Sequence, residues 1–192
     1  MSEKLPDLAV DLLKYNIEVQ LERGVSLQNR IFTLMGEVNM DMFHRTEACL
    51  NIFENSGKKT VTIKLCSGGG DIYAALAIVA RIKSSPCKIR IEAFGQIMSA
   101  ATAIFAVGDE RISSKYTSFM FHQTSVALPE LTLRDIRNEL EQTEKDDAVF
   151  SEILAEHSKC DFNFWNGLIC NGKNTYMTAQ QCFECGLVDK IT

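Results

Sequence analysis

The clearest periodicities lie between residues 30 and 107. Arg30 to Glu37 is almost continuous in apolar side chains (Ile31, Phe32, Leu34, Met35), which suits a strand buried on both faces. Met42, Phe43, Cys49, Leu50 and Phe53 then fall on one helical stripe, with Asn39 or Asp41 available as a cap and Gly57 as a stop. Val61 to Leu65 reads as a strand. Ile72, Ala75, Leu76, Val79 and Ile82 form a second helical stripe, closed by Ser84-Ser85-Pro86. A third strand, Lys88 to Phe94, leads to a small-residue, helix-like run from Ala100 to Val107. Strand and helix alternate three times, which predicts right-handed crossovers and a mainly parallel sheet. Ligands in such sheets bind beyond the carboxyl ends of the strands. Two segments belong there: Gly68-Gly69-Gly70 after the second strand and Ser99 after the third.

The flanks read less regularly. Leu5 to Leu13 suggests a short amphipathic turn of helix. Tyr15, Ile17, Val19 and Leu21 alternate with polar residues as a half-buried strand would, and Gly24 breaks the run. Residues 1–29 are therefore set apart as an N-terminal segment before a domain spanning 30–192. Downstream, Glu110 to Ser113 and Ser118 to His122 are short strands. Thr132 with Asp135 three residues on resembles a capping box and opens a long helix to about His157. Ile136 and Leu140 give that helix an apolar face, as do Phe150, Ile153 and Leu154. The polar run Glu141 to Asp147 between them predicts a helix that projects from the core, its middle either solvated or in a subunit contact. Asp161 to Lys173 is a loop or short helix around Trp165. Thr178 and Gln181 repeat the capping-box pattern, Gly186 ends that helix, and Leu187 to Ile191 closes as a strand.

A chain of 192 residues with 46% apolar content can build one domain with a real core. A net charge of −5 leaves no broad basic footprint for nucleic acid. No apolar run approaches the roughly 20 residues that span a bilayer, and the first residues lack a signal-peptide pattern. The seven cysteines are odd in number and lie mostly in apolar runs, which fits buried thiols in a reducing cytoplasm. Cys182 and Cys185 have redox or zinc spacing, but no second pair completes a metal site. They read as two residues on one face of a short helix, and no metal is expected.

The candidate chemistry centres on Ser99. It is the only hydroxyl at the junction between the third strand and the small-residue helical run, where backbone N–H groups lack helical partners and can hold a developing oxyanion. Taken alone, the residue reads as a helix cap. His122, at the end of the apolar run Ser118 to Phe121, changes that. A serine nucleophile needs a base titrating near neutrality, and a histidine delivered from a strand end supplies one. The other two histidines, His44 and His157, fall within helical patterns.

Together these motifs resemble the proteolytic subunits of the Clp protease, the ClpP family, over Arg30 to Ile191. Gly95-Gln96-Ile97-Met98-Ser99-Ala100-Ala101 is similar to the family's nucleophile motif, and Phe119-Met120-Phe121-His122-Gln123 to its histidine motif. Leu65-Cys66-Ser67-Gly68-Gly69-Gly70 resembles its glycine loop, with Cys66 for an asparagine and Gly68 for a proline. Tyr176-Met177-Thr178-Ala179 and Gly186-Leu187-Val188-Asp189 resemble its closing segments. The resemblance implies an α/β fold, a ClpP/crotonase-like spiral of βαβ units with a long projecting helix at about Thr132 to His157. It implies a serine endopeptidase in which Ser99 attacks, His122 takes the proton, and the backbone N–H groups of Gly70 and Ala100 hold the oxyanion. It further implies two stacked heptameric rings interleaved by the long helix, an AAA+ unfoldase that spends ATP and feeds protein substrates, and no cofactor on this chain.

One position departs from the family. Where the family carries the triad aspartate, this sequence has Asn174. Its side-chain oxygen can still accept from the histidine, but without negative charge. Three outcomes follow: Asn174 serves in a slower site, another carboxylate such as Asp161 substitutes, or the subunit is inactive and assembles with an active paralogue. A crotonase-type acyl-CoA enzyme shares the spiral and the glycine-built oxyanion hole. It would need an acid or base beside the glycine loop, where the sequence offers only Asp71.

Overall fold

A computed structural model describes residues 22, 24–125 and 132–192. The strand predicted over Tyr15 to Leu21, and the helical turn before it, lie outside them. The described chain runs β1 (Val25–Ser26), β2 (Ile31–Met35), α1 (Met40–Asn55), β3 (Val61–Ser67), α2 (Ile72–Lys83), β4 (Ile89–Met98), α3 (Ala101–Ala106), β5 (Glu110–Ser113), β6 (Ser118–Phe121), α4 (Leu133–Glu156), α5 (Phe162–Ile169), β7 (Thr175–Thr178), α6 (Ala179–Glu184) and β8 (Lys190–Ile191). The predicted alternation holds, and so does the parallel sheet. Strands β2, β3, β4, β5 and β8 lie side by side and parallel, and β1 closes one edge antiparallel to β2.

The sheet branches at β4. Arg90 to Ala93 pair with β5, whereas Gln96 to Met98 pair with β6. The change of partner falls at Phe94-Gly95, where Gly95 takes φ +65°, and β3 shifts register alongside it between Leu65 and Ser67. The strand thus runs four residues past the apolar stretch that the sequence marks. Its extension is half exposed, so alternation does not reveal it. Strand β6 in turn pairs antiparallel with β7, which sequence patterning missed because only four residues alternate there.

Three helices begin where the caps predict: Asn39, of the two candidates, accepts from Met42 N–H at 2.9 Å, and Thr132 and Thr178 form complete capping boxes. Asp71, which the sequence does not mark as a cap, starts α2 by accepting from Ala74 N–H at 2.6 Å. Each such cap satisfies a backbone donor that the helix itself leaves free. Phe32, Phe53, Ile63, Leu65, Ile78 and Phe105 are fully buried between the sheet and its helices. The same core continues into α5, where the Trp165 ring lies 5.1 Å from that of Phe121 on β6. Trp165 donates its indole N–H to Ser158 Oγ at 2.8 Å, so its burial leaves no polar orphan.

The long helix α4 needs one correction. Its first turns do stand clear, with Leu133, Ile136 and Leu140 exposed. Its polar middle does not: Thr143, Asp146 and Asp147 are buried, on the same stripe as Phe150, Ser151 and Leu154. Cys182 and Cys185 lie in and just after α6, both buried and reduced, and burial pushes the Cys182 thiol well above its ordinary range.

Candidate active site

Ser99 does not cap a helix. The cap position of α3 belongs to Ala100, which makes no side-chain capping bond, and Ser99 precedes it with φ +51°. A non-glycine residue in this region costs roughly 1 kcal/mol or more, and local contacts hold it there. Ser99 N–H donates to Met120 C=O at 2.8 Å, and Ser99 C=O accepts from Thr102 N–H at 2.9 Å and Thr102 Oγ1 at 2.7 Å. The sharp turn frees the Ser99 side chain from the strand and aims it at β6.

The register of β4 on β6 then fixes the partner. Met98 pairs with Met120, and the chain leaves β6 one residue before His122. His122 Nε2 sits 2.7 Å from Ser99 Oγ, both half-buried. This is within the hydrogen-bonding reach a nucleophile and its base require.

The glycine loop closes the site from the β3 side. Gly69 takes φ +95° and Gly70 φ +147°. A Cβ at Gly69 would stand 2.7 Å from Ser99 Cβ and 2.9 Å from Met98 C=O. The loop is pinned by Val38 N–H to Gly69 C=O and Asp71 N–H to Val38 C=O, each 2.8 Å. Neither Gly70 nor Ala100 donates its backbone N–H to another backbone group among the described residues outside regular helices and strands. Both border the cavity that contains Ser99 and His122.

Asn174 immediately precedes β7, whose last pair with β6 is Phe121 with Thr175. Continuing that antiparallel register by one residue sets Asn174 opposite His122. The Asn174 residue is exposed and its side chain makes no hydrogen bond among the described residues. Asp161 is engaged elsewhere: it caps α5, accepting from Phe164 N–H at 2.9 Å. Asp71 is likewise committed as the cap of α2.

Two carboxylates that sequence reasoning missed line the same cavity. Asp147 is 2% exposed, and its Oδ1 accepts from Thr124 N–H at 2.9 Å, two residues beyond His122. Its Oδ2 has no partner among the described residues. Asp146 is 8% exposed and accepts from Tyr73 O–H at 3.2 Å and Gln142 Nε2 at 2.9 Å. The available signal was spacing: the stripe of Phe150, Ser151 and Leu154 extends backwards onto Thr143, Asp146 and Asp147.

A family model for the Clp protease matches residues 18–192. The chain belongs to the Clp protease family. Among its relatives, the ATP-dependent Clp protease proteolytic subunit 2 of Corynebacterium diphtheriae is 26% identical over 170 residues, covering 86% of this chain and 83% of that protein. The ATP-dependent Clp protease proteolytic subunit of Ligilactobacillus salivarius is 27% identical over 168 residues, covering 86% and 84%. Among solved structures, a mutant of ClpP1 from Listeria monocytogenes carrying an asparagine-to-aspartate change superposes with a TM-score of 0.80 at 18% identity. It covers 92% of this chain and 95% of its own. The fold is therefore that of ClpP, and these matches do not favour the acyl-CoA alternative. Among the described residues no helix is long and apolar enough to cross a membrane, and no three His, Cys, Asp or Glu side chains gather as metal ligands would.

Proposed function

We propose that this chain is a working proteolytic subunit of Clp type, a serine endopeptidase whose site is Ser99, His122 and Asn174. The observation that carries the reading is the 2.7 Å contact between Ser99 Oγ and His122 Nε2. With the proton of the neutral imidazole on Nδ1, Nε2 is free to accept the serine proton as Oγ attacks a peptide carbonyl. The carbonyl oxygen turns towards the N–H groups of Gly70 and Ala100, which stabilise the charge that develops there. His122 then returns the proton to the leaving amine. Water, activated by the same imidazole, releases the acyl group.

Asn174, which holds no such bond in this structure, supplies the third member by turning its amide oxygen to accept His122 Nδ1–H when substrate binds, selecting the reactive tautomer. The cross-strand register of β6 and β7 supports this pairing. An asparagine adds no charge to stabilise the imidazolium, so the site works below the rate that an aspartate would give. No cofactor takes part. The chain acts in the cytoplasm within stacked heptameric rings, homomeric or mixed with a paralogue, and an AAA+ partner spends ATP to feed it unfolded protein.

Hydrolysis of fluorogenic tripeptides by the purified oligomer tests the reading. Ser99→Ala should remove hydrolysis and labelling by a fluorophosphonate, and Asn174→Asp should raise kcat by about tenfold or more. An oligomer that fails to label at Ser99 and hydrolyses nothing, with Asn174→Asp equally silent, would leave a structural subunit that depends on an active paralogue.

A further inference from the structure

The cavity of about 590 Å³ beside Ser99 has an unusual charge distribution. One wall is the catalytic edge, with Ser99, Ala100, Gly70 and His122. The facing wall is α4, which presents Glu139, Asp146 and Asp147 to the same space. No lysine or arginine lines the cavity among the described residues. Asp146 is held by two neutral donors, Tyr73 and Gln142, and the Asp147 carboxylate by one backbone N–H. Neither is paired with a cation among the described residues.

Buried carboxylates without a counter-charge are costly, and their mutual repulsion is stronger in a cavity than in water. Asp147 is the sharper case, being almost wholly buried with Oδ2 unpartnered. The carboxylates are spread along one helix face over two turns and do not converge as the ligands of a metal ion would. An elongated organic cation matches that spread better than a point charge. Tyr73 borders the same space, and an aromatic side chain there adds to the attraction for such a cation.

Resting on the peptidase reading above, we propose that this cavity receives the side chain preceding the scissile bond and selects arginine or lysine there. An acidic pocket beside a serine nucleophile selects basic side chains in peptidases of trypsin type. Here the same logic is built on a helix that also holds the segment after His122 through Asp147 and Thr124. The peptide backbone lies along the glycine loop, the cationic side chain enters between Tyr73 and α4, and the three carboxylates provide its counter-charge.

The test is hydrolysis by the full chain, in the oligomeric state in which it purifies, of acetyl-Ala-Ala-Xaa-coumarinylamides with Xaa as Arg, Lys, Leu or Glu. The Arg and Lys peptides should exceed Leu in kcat/KM by at least tenfold, Glu should be slowest, and the preference should shrink with added salt. Asp146→Asn combined with Glu139→Gln should lower the Arg-to-Leu ratio at least fivefold. Equal or faster cleavage after Leu overturns the proposal and leaves the peptidase reading standing. Should no peptide be cleaved, calorimetric binding of acetyl-Ala-Ala-Arg-amide and acetyl-Ala-Ala-Leu-amide to Ser99→Ala decides the matter without chemistry. Tenfold tighter binding of the arginine peptide upholds the cationic pocket, and equal binding overturns it.

Discussion

Ser99 occupies a backbone conformation that its residue type disfavours, and two neighbours make it the lower-energy arrangement. Met120 C=O takes its N–H, and Gly69 leaves the space its Cβ requires. The second point is testable. A methyl group at residue 69 would stand 2.7 Å from Ser99 Cβ at a φ of +95° that alanine rarely adopts. Gly69→Ala should therefore displace the nucleophile, lowering kcat by about a hundredfold in the tripeptide assay, a loss of roughly 3 kcal/mol in the barrier. Unchanged kcat would show that the loop yields without cost. The Ser99–His122 contact was legible in the sequence, because a serine at a strand exit and a histidine at the end of a later strand are both local signals. Asp146 and Asp147 were not, because a polar residue in a helix reads as solvated unless its register with distant apolar positions is followed.

Elements were most legible where caps mark them. Asn39, Thr132 and Thr178 each start the helix that the sequence assigns to it, since capping is settled within one turn, whereas Asp71, read from the sequence only as a carboxylate beside the glycine loop, proves to cap α2. Strand β7 and the second half of β4 were invisible, because their pairing is decided by β6 and by nothing within their own few residues. Asp161 shows how the element scale decides a residue's role. It caps α5, the helix that buries Trp165 against Phe121. Asp161→Ala should cost about 1 kcal/mol of stability, seen as a lower urea midpoint. It should leave kcat on tripeptides unchanged. A collapse of kcat at normal stability would instead return Asp161 to the catalytic site.

For the molecule as a whole, acid is the expected weakness, and two groups set where it begins. His157 ends α4, where burial, with Lys83 and Arg111 nearby, holds its imidazole below the ordinary 6.5. The unfolded chain therefore binds that proton first, so stability is complete above about pH 6.5 and falls as the pH drops towards the depressed folded value. Glu54 is held low by Arg81, which it meets at 2.9 Å, and by Ser85. Its contribution is present above the ordinary carboxylate value of 4.5 and is lost as the pH falls through its lowered folded value. Urea midpoints measured from pH 8 to about pH 2 should decline in two stages, and His157→Gln should erase the upper one. A profile flat down to pH 5 in the parent protein would refute the assignment.

Strand β4 serves two neighbours in turn, and this divides the labour along a single strand. Its first half is locked between β3 and β5, deep in the main sheet, while its second half answers to β6 and leads into Ser99, the residue that follows the strand. Resilience and turnover are thus written into different halves of the same ten residues. Substitutions before Gly95 would set how much heat or urea the fold withstands, and substitutions after it would set how fast the site works. A lineage could therefore harden the scaffold for a hotter cell, or quieten the chemistry for a supporting role in a mixed ring, by altering one half and leaving the other as it stands.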